Sequence, residues 1–119
     1  MHQGEVYWLH FGPPEGSEPA GRRPALIVQH DRFNRSAIST TVVAAITSNM
    51  RLAGMPGNVR LDRGEAGLPL PCVINVSQLR TIDRSRLGER SGALGREKLA
   101  EVLDGLALLL GTGDAPPRG

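Results

Sequence analysis

Several residue types are scarce in this chain, and each shortage removes a class of explanation. Cys72 is the one cysteine in 119 residues, so no internal disulfide can form and the disulfide-stapled design of small secreted domains is excluded. It opens an apolar segment and reads as a buried, inert thiol. Four aromatics, Tyr7, Trp8, Phe11 and Phe33, are too few for a base-stacking platform of the RRM or OB type. No apolar run approaches the ~20 residues that cross a bilayer. The opening Met1-His2-Gln3-Gly4-Glu5 lacks the basic-then-apolar pattern of a secretory signal, and a cytoplasmic location is expected. The carboxylates Glu15, Glu18, Asp62 and Glu65 fall in turns at a spacing that matches no metal-ligand pattern, so neither a metal nor another cofactor is expected.

What is present is arginine, glycine and proline. The 14 basic residues exceed the 12 acidic ones by two, and Lys98 is the only lysine among them. Arginine keeps its charge at any relevant pH and grips a phosphate through two parallel hydrogen bonds. The 15 glycines and 9 prolines punctuate the chain into short segments. Strands are expected over 6–11, over 23–29, over 40–46 as a β-branched central strand, and over 58–62. Residues 72–82 read as two strands or as one long strand bent near Ser77, and a last strand is expected around 90–93. Residues 30–36 have room for one helical turn. Only the end is clearly helical: Leu99, Val102, Leu103, Leu106, Leu109 and Leu110 recur at helical spacing, with Gly111 placed as a C-cap. The expected architecture is mainly β, a small antiparallel barrel or strongly curved sheet closed by a C-terminal α-helix. One domain is expected over 1–111, with a disordered tail over 112–119.

The stretch 16–29 is where chemistry is expected. A glycine-rich loop leads to Arg22 and Arg23, and Pro24 holds Arg23 extended at the mouth of the buried run 25–28. A charge fixed at the end of a buried strand, beside a loop able to close over it, is how a rigid scaffold presents a reactive group. Taken alone, Arg23 and Thr47 are also what any strand end can carry, and Glu18 what any solvated loop can carry. His10 and His30 admit a two-histidine ribonuclease arrangement, provided that they meet in space.

In order along the chain stand Gly4-Glu5-Val6-Tyr7-Trp8, Gly16-Ser17-Glu18, Arg22-Arg23-Pro24-Ala25, Ala45-Ile46-Thr47-Ser48, Pro56-Gly57-Asn58-Val59 and Asn75-Val76-Ser77-Gln78-Leu79. This ordered set resembles the MazF/PemK family of toxin endoribonucleases. The resemblance implies an SH3-like antiparallel β-barrel of the CcdB/PemK toxin type, a homodimer that cleaves single-stranded mRNA at short sequences without a metal. It implies that Arg23 and Thr47 are catalytic, with Glu18 in the loop beside them. It also implies an acidic antitoxin of the MazE type, expected to lie over the arginine groove. Arg22, Asn34, Ser48, Asn49, Gln78 and Arg80 are the expected RNA-binding residues, with Arg32, Arg35 and Arg51 adding charge and Asn75 a further amide. Each amide is as readily a structural group as a base-edge reader. The alternative function is that of a CcdB-like, non-enzymatic toxin binding DNA gyrase, although the stretch 112–119 carries no aromatic anchor for it.

The residues suit such a reaction. RNA supplies its own nucleophile in the 2′-hydroxyl, and alignment makes attack on the adjacent phosphorus an intramolecular step. The protein then has to stabilise charge on the phosphorane and move two protons. A fixed guanidinium and a hydroxyl meet the first need. Glu18, a second arginine and water are all candidates for the proton transfers.

Overall fold

The computed structural model describes residues 1–112. Six strands, β1 (Glu5–His10), β2 (Arg22–Ile27), β3 (Thr40–Thr47), β4 (Val59–Leu61), β5 (Cys72–Asp83) and β6 (Arg90–Ala93), form one antiparallel sheet in the order β4-β5-β3-β2-β1-β6. The sheet curls into a half-barrel, so the fold is mainly β with a C-terminal helix. Its edges β4 and β6 do not pair with each other; the 3-10 turn Glu65–Gly67 packs on β6, where the Ser91 hydroxyl donates to the Ala66 carbonyl at 2.9 Å. The helical turn expected after β2 is α1 (Asp31–Asn34), and the final helix is α2 (Arg96–Leu110).

The central strands are apolar throughout because both faces of the sheet are covered there. Val6, Leu26, Ala44, Ile46 and Ile74 point inward and meet Val102 of α2. Leu9, Phe11, Ala25, Ile27, Val43 and Ile82 form a second buried cluster on the opposite face. Side chains alternate faces along a strand, so a strand buried on both reads as an unbroken apolar run.

Residues 72–82 are one strand with a bulge. Strand β5 keeps one register against β3 from Thr40↔Asp83 to Ala44↔Leu79, and then resumes at Ala45↔Asn75. Val76, Ser77 and Gln78 therefore have no partner on β3, and the strand bends at the position the sequence marked.

Helix α2 buries Val102 and Gly105 but leaves Leu103, Leu109 and Leu110 exposed, so only part of the leucine stripe is core. Gly105 sits against Gly57: a Cβ there would lie 2.1 Å from the Gly57 carbonyl oxygen. This contact accounts for a glycine that otherwise costs a helix interior about 1 kcal/mol. Gly111 ends the helix at φ +76, and the Thr112 amide donates to the Ala107 carbonyl at 2.9 Å. The remainder of the expected tail, 113–119, lies outside the described residues. Among the described residues no helix is long and apolar enough to cross a membrane.

Candidate active site

Pairing between β2 and β3 ends at Ala25↔Ala45. Arg23 and Thr47 lie two residues beyond that last pair, one on each strand, and by strand alternation leave the sheet on the face that Ala25 and Ala45 use. Arg23 is also paired to Leu9 of β1, and Thr47 to Val73 of β5, so each backbone is held from its far side. The Arg23 Nε donates to the Ala20 carbonyl at 2.7 Å, which fixes the plane of the guanidinium. Among the described residues its two terminal nitrogens have no acceptor and no carboxylate pairs with it. The Thr47 Oγ1 accepts from the Asn49 amide at 3.1 Å, and its own proton has no acceptor among the described residues. Two oriented groups thus keep their donors unused at the ends of two buried strands.

Both side chains line two adjoining clefts. The first, of about 380 Å³, is lined largely by apolar groups, with Trp8, Leu68, Leu70 and Cys72 beside Arg22 and Ser48. Arg22 lies over the Trp8 ring at 4.3 Å from its centroid, a cation–π stack that leaves a flat, charged edge. Burial, followed by the nearby Glu65 carboxylate, pushes the Cys72 thiol above its ordinary pKa, so the sulfur stays protonated and makes a poor nucleophile. The second cleft, of about 500 Å³, carries Glu18, Asn58, Asn75, Ser77 and Gln78. One cleft offers stacking surface and charge; the other offers amides and hydroxyls. Arg23 and Thr47 stand between them.

Of the residues singled out beforehand, Arg23, Thr47, Glu18, Arg22, Ser48 and Gln78 line these clefts. Glu18 is exposed on its loop, and Gln78 reaches that loop through a bond to the Ser17 carbonyl at 3.5 Å. Asn49 lines neither cleft, and its Oδ1 accepts from the Arg51 amide at the start of the 3-10 turn Met50–Gly54. Arg80 donates to the Phe11 carbonyl at 2.8 Å and lies over the Phe11 ring, so it anchors the segment after β1 and lines neither cleft.

Asn34 does not join them. It sits on α1, beyond the opposite end of β2, and is only 5% exposed. Its Oδ1 accepts from Gln29 Nε2 and Thr41 Oγ1, and its Nδ2 donates to the Gln29 carbonyl and to Asp31 Oδ1. With every position of the amide used, no capacity remains to read a base. Arg32 and Arg35 share that end and lie away from the clefts. His30 is there too, capping α1, whereas His10 ends β1 opposite Arg22; the length of β2 separates them and the two-histidine arrangement fails. Sequence reasoning missed Trp8, Leu70 and Asn58 as cleft residues. A count of aromatics could not show that Pro24 pairs with Trp8 across β1 and β2, and that pairing is what brings the ring to the first cleft.

A family model described as PemK-like, MazF-like toxin of type II toxin-antitoxin system matches residues 2–110. The chain belongs to this family. Endoribonuclease MazF6 of Mycobacterium tuberculosis is 43% identical over 110 residues, spanning 92% of this chain and 96% of that protein. The crystal structure of MazF from Deinococcus radiodurans superposes with a TM-score of 0.76 at 32% identity, covering 94% of this chain and 97% of that one. A MazE–MazF crystal structure from the same organism gives a TM-score of 0.73 at 30% identity, covering 95% and 98%. The sequence resemblance and the fold therefore lead to one family, and the chain is an endoribonuclease toxin of the MazF kind.

Proposed function

We propose that this toxin cleaves single-stranded mRNA at short sequences in the cytoplasm, without a metal, through attack of a 2′-hydroxyl on the adjacent phosphate. The observation that carries the reading is that Arg23 and Thr47 both line the junction of two clefts, each with unused donors. Arg23 clamps the scissile phosphate through its terminal nitrogens. Thr47 donates to a phosphate oxygen or positions the 2′-hydroxyl. Glu18, on the loop bordering the second cleft, assists proton transfer or closure of that loop. As the 2′-oxygen bonds to phosphorus its proton leaves to a base, and the departing 5′-oxygen takes one up, giving a 2′,3′-cyclic phosphate and a 5′-hydroxyl. Each donor aimed at the developing charge contributes about 3 kcal/mol in comparable sites. Among the described residues no three His, Cys, Asp or Glu side chains gather as a metal would need, and the donors at the junction are a guanidinium and a hydroxyl.

The clefts divide the work of binding. An unpaired base suits the Trp8–Arg22 edge of the first, and base edges suit Gln78 and the Asn75 amide nitrogen of the second. A groove with uncompensated arginines also suits an acidic segment, and a relative from Deinococcus radiodurans is solved as a MazE–MazF complex. An antitoxin of the MazE type covers Arg22 and Arg23 in this reading, and the toxin works as a homodimer. The gyrase-binding alternative turns on the stretch 112–119, of which 113–119 lie outside the described residues.

Incubating the purified protein with RNA in EDTA and mapping the ends of the fragments tests the proposal. Cleavage that leaves 5′-hydroxyl ends, and that Arg23→Ala removes, is the expected result. Intact RNA, or cleavage undiminished by that substitution, overturns it.

A further inference from the structure

Strand β5 does not present Ser77 and Gln78 to the second cleft unaided. The bulge at 76–78 takes their amides, and that of Val76, out of the ladder with β3, and a buried amide without a partner costs about 1–3 kcal/mol. Val76 is 1% exposed, so water offers little relief. Its N–H donates to Asn58 Oδ1 at 3.0 Å, and the Ser77 N–H donates to Asn75 Oδ1 at 3.3 Å. The other end of the Asn58 amide is also used, with Nδ2 donating to the Leu52 carbonyl at 2.9 Å. One side chain thus ties the bulge to the 3-10 turn Met50–Gly54, and both elements line that cleft.

The tie has a fixed base. Gly57, at φ +79, rests directly on the backbone of α2: a Cβ on it would lie 3.0 Å from the Gly105 carbonyl oxygen, and a Cβ on Gly105 would lie 2.1 Å from the Gly57 carbonyl oxygen. Only two glycines allow this approach, and it prevents the segment from sliding along the helix. The 3-10 turn is then held before its start, by the Asn49 amide on Thr47 Oγ1, and in its middle, by Asn58 on Leu52.

We propose that Asn58, seated on the Gly57–Gly105 contact, is a positioning residue that sets the distance between two walls of the second cleft, the bulge with Ser77 and Gln78 and the 3-10 turn with Leu52, and hence the sequence at which this toxin cuts. The inference rests on the nuclease reading above, and its role is distinct from that of Arg23: Asn58 touches the walls, and the walls touch the RNA.

The test compares cleavage of the preferred sequence with cleavage of all others in a random RNA pool. A purely structural loss lowers the amount of active protein and scales both equally, leaving their ratio unchanged. Asn58→Asp keeps the acceptor for the Val76 amide but turns an oxygen towards the Leu52 carbonyl, and is expected to lower the ratio about tenfold, the effect of one displaced base contact. Gly105→Ala lies outside the second cleft and pushes Gly57 from below, and is expected to lower the ratio in the same direction. It also decides the matter if Asn58→Asp fails to fold. A native ratio in a folded variant overturns the inference while leaving the nuclease reading intact; absence of cleavage by the unaltered protein, with Arg23 present, overturns that reading instead.

Discussion

The two ends of β2 and β3 use similar residues to opposite purposes. At the α1 end, Asn34, Gln29, Thr41 and Asp31 close a network in which the Asn34 amide satisfies each neighbour. At the other end, Arg23 and Thr47 each make one bond that orients them and leave their remaining donors unused. Residue type does not distinguish the two, since amides, hydroxyls and arginines occur at both. The distinction lies in whether the protein consumes a group's hydrogen-bonding capacity itself. A saturated network rigidifies the fold, while an oriented and unsaturated group is prepared for a ligand.

Substitutions can break that contrast in both directions. The largest expected effect is on activity: Arg23→Ala lowers the RNA cleavage rate by about 10²- to 10³-fold, the scale of one lost transition-state donor, with an unchanged thermal unfolding midpoint. At the saturated end the outcome reverses. Asn34→Ala leaves Gln29 and Thr41 without their partner and lowers unfolding stability by about 2–3 kcal/mol in a denaturant titration, while cleavage per folded molecule is retained. Thr47→Val removes a hydroxyl but keeps the shape, and a roughly tenfold slower cleavage with little change in stability is expected. Thr41→Val, the matching change in the buried network, costs about 1 kcal/mol of stability and leaves cleavage alone.

The smallest effect is one of pH. The Gln3 amide, donating to Asp31 at 2.8 Å, and the Asn34 side chain hold the Asp31 carboxyl below its ordinary value of 3.8. A carboxyl whose pKa is lower in the folded state contributes stability that is complete above the unfolded value and is lost as the pH falls through the folded one. Unfolding midpoints of the native protein should therefore drop below about pH 4 more steeply than those of Asp31→Asn. Parallel curves for the two proteins would remove Asp31 from the account of the saturated end.

Much of the fold was legible beforehand because local rules and tertiary packing agreed. The β-branched run of β3, the apolar run of β2 and the leucine spacing with a terminal glycine in α2 each predict the element found. Within the candidate site, Arg23 could be picked out because Pro24 restricts it, whereas Thr47 was marked only by the family resemblance. Asn34 misled for a physical reason: an amide looks the same in a sequence whether or not its bonds are spent. Arg80 misled likewise, since its partner, the Phe11 carbonyl, is 69 positions away.

Chain chemistry alone settled which segments become strands, and that arginine rather than histidine or cysteine stands at the mouth of the buried one, while the strand ends shifted by a residue or two. Those outcomes follow from steric limits on neighbouring residues and from side-chain alternation, both of which act over a few positions. Three-dimensional packing alone settled that Arg23 and Thr47 share two clefts, that Trp8 underlies Arg22, and that Asn58 joins the turn to the bulge. Each of these needs a register between strands or an approach between backbones, and such relations arise only when distant parts of the chain meet.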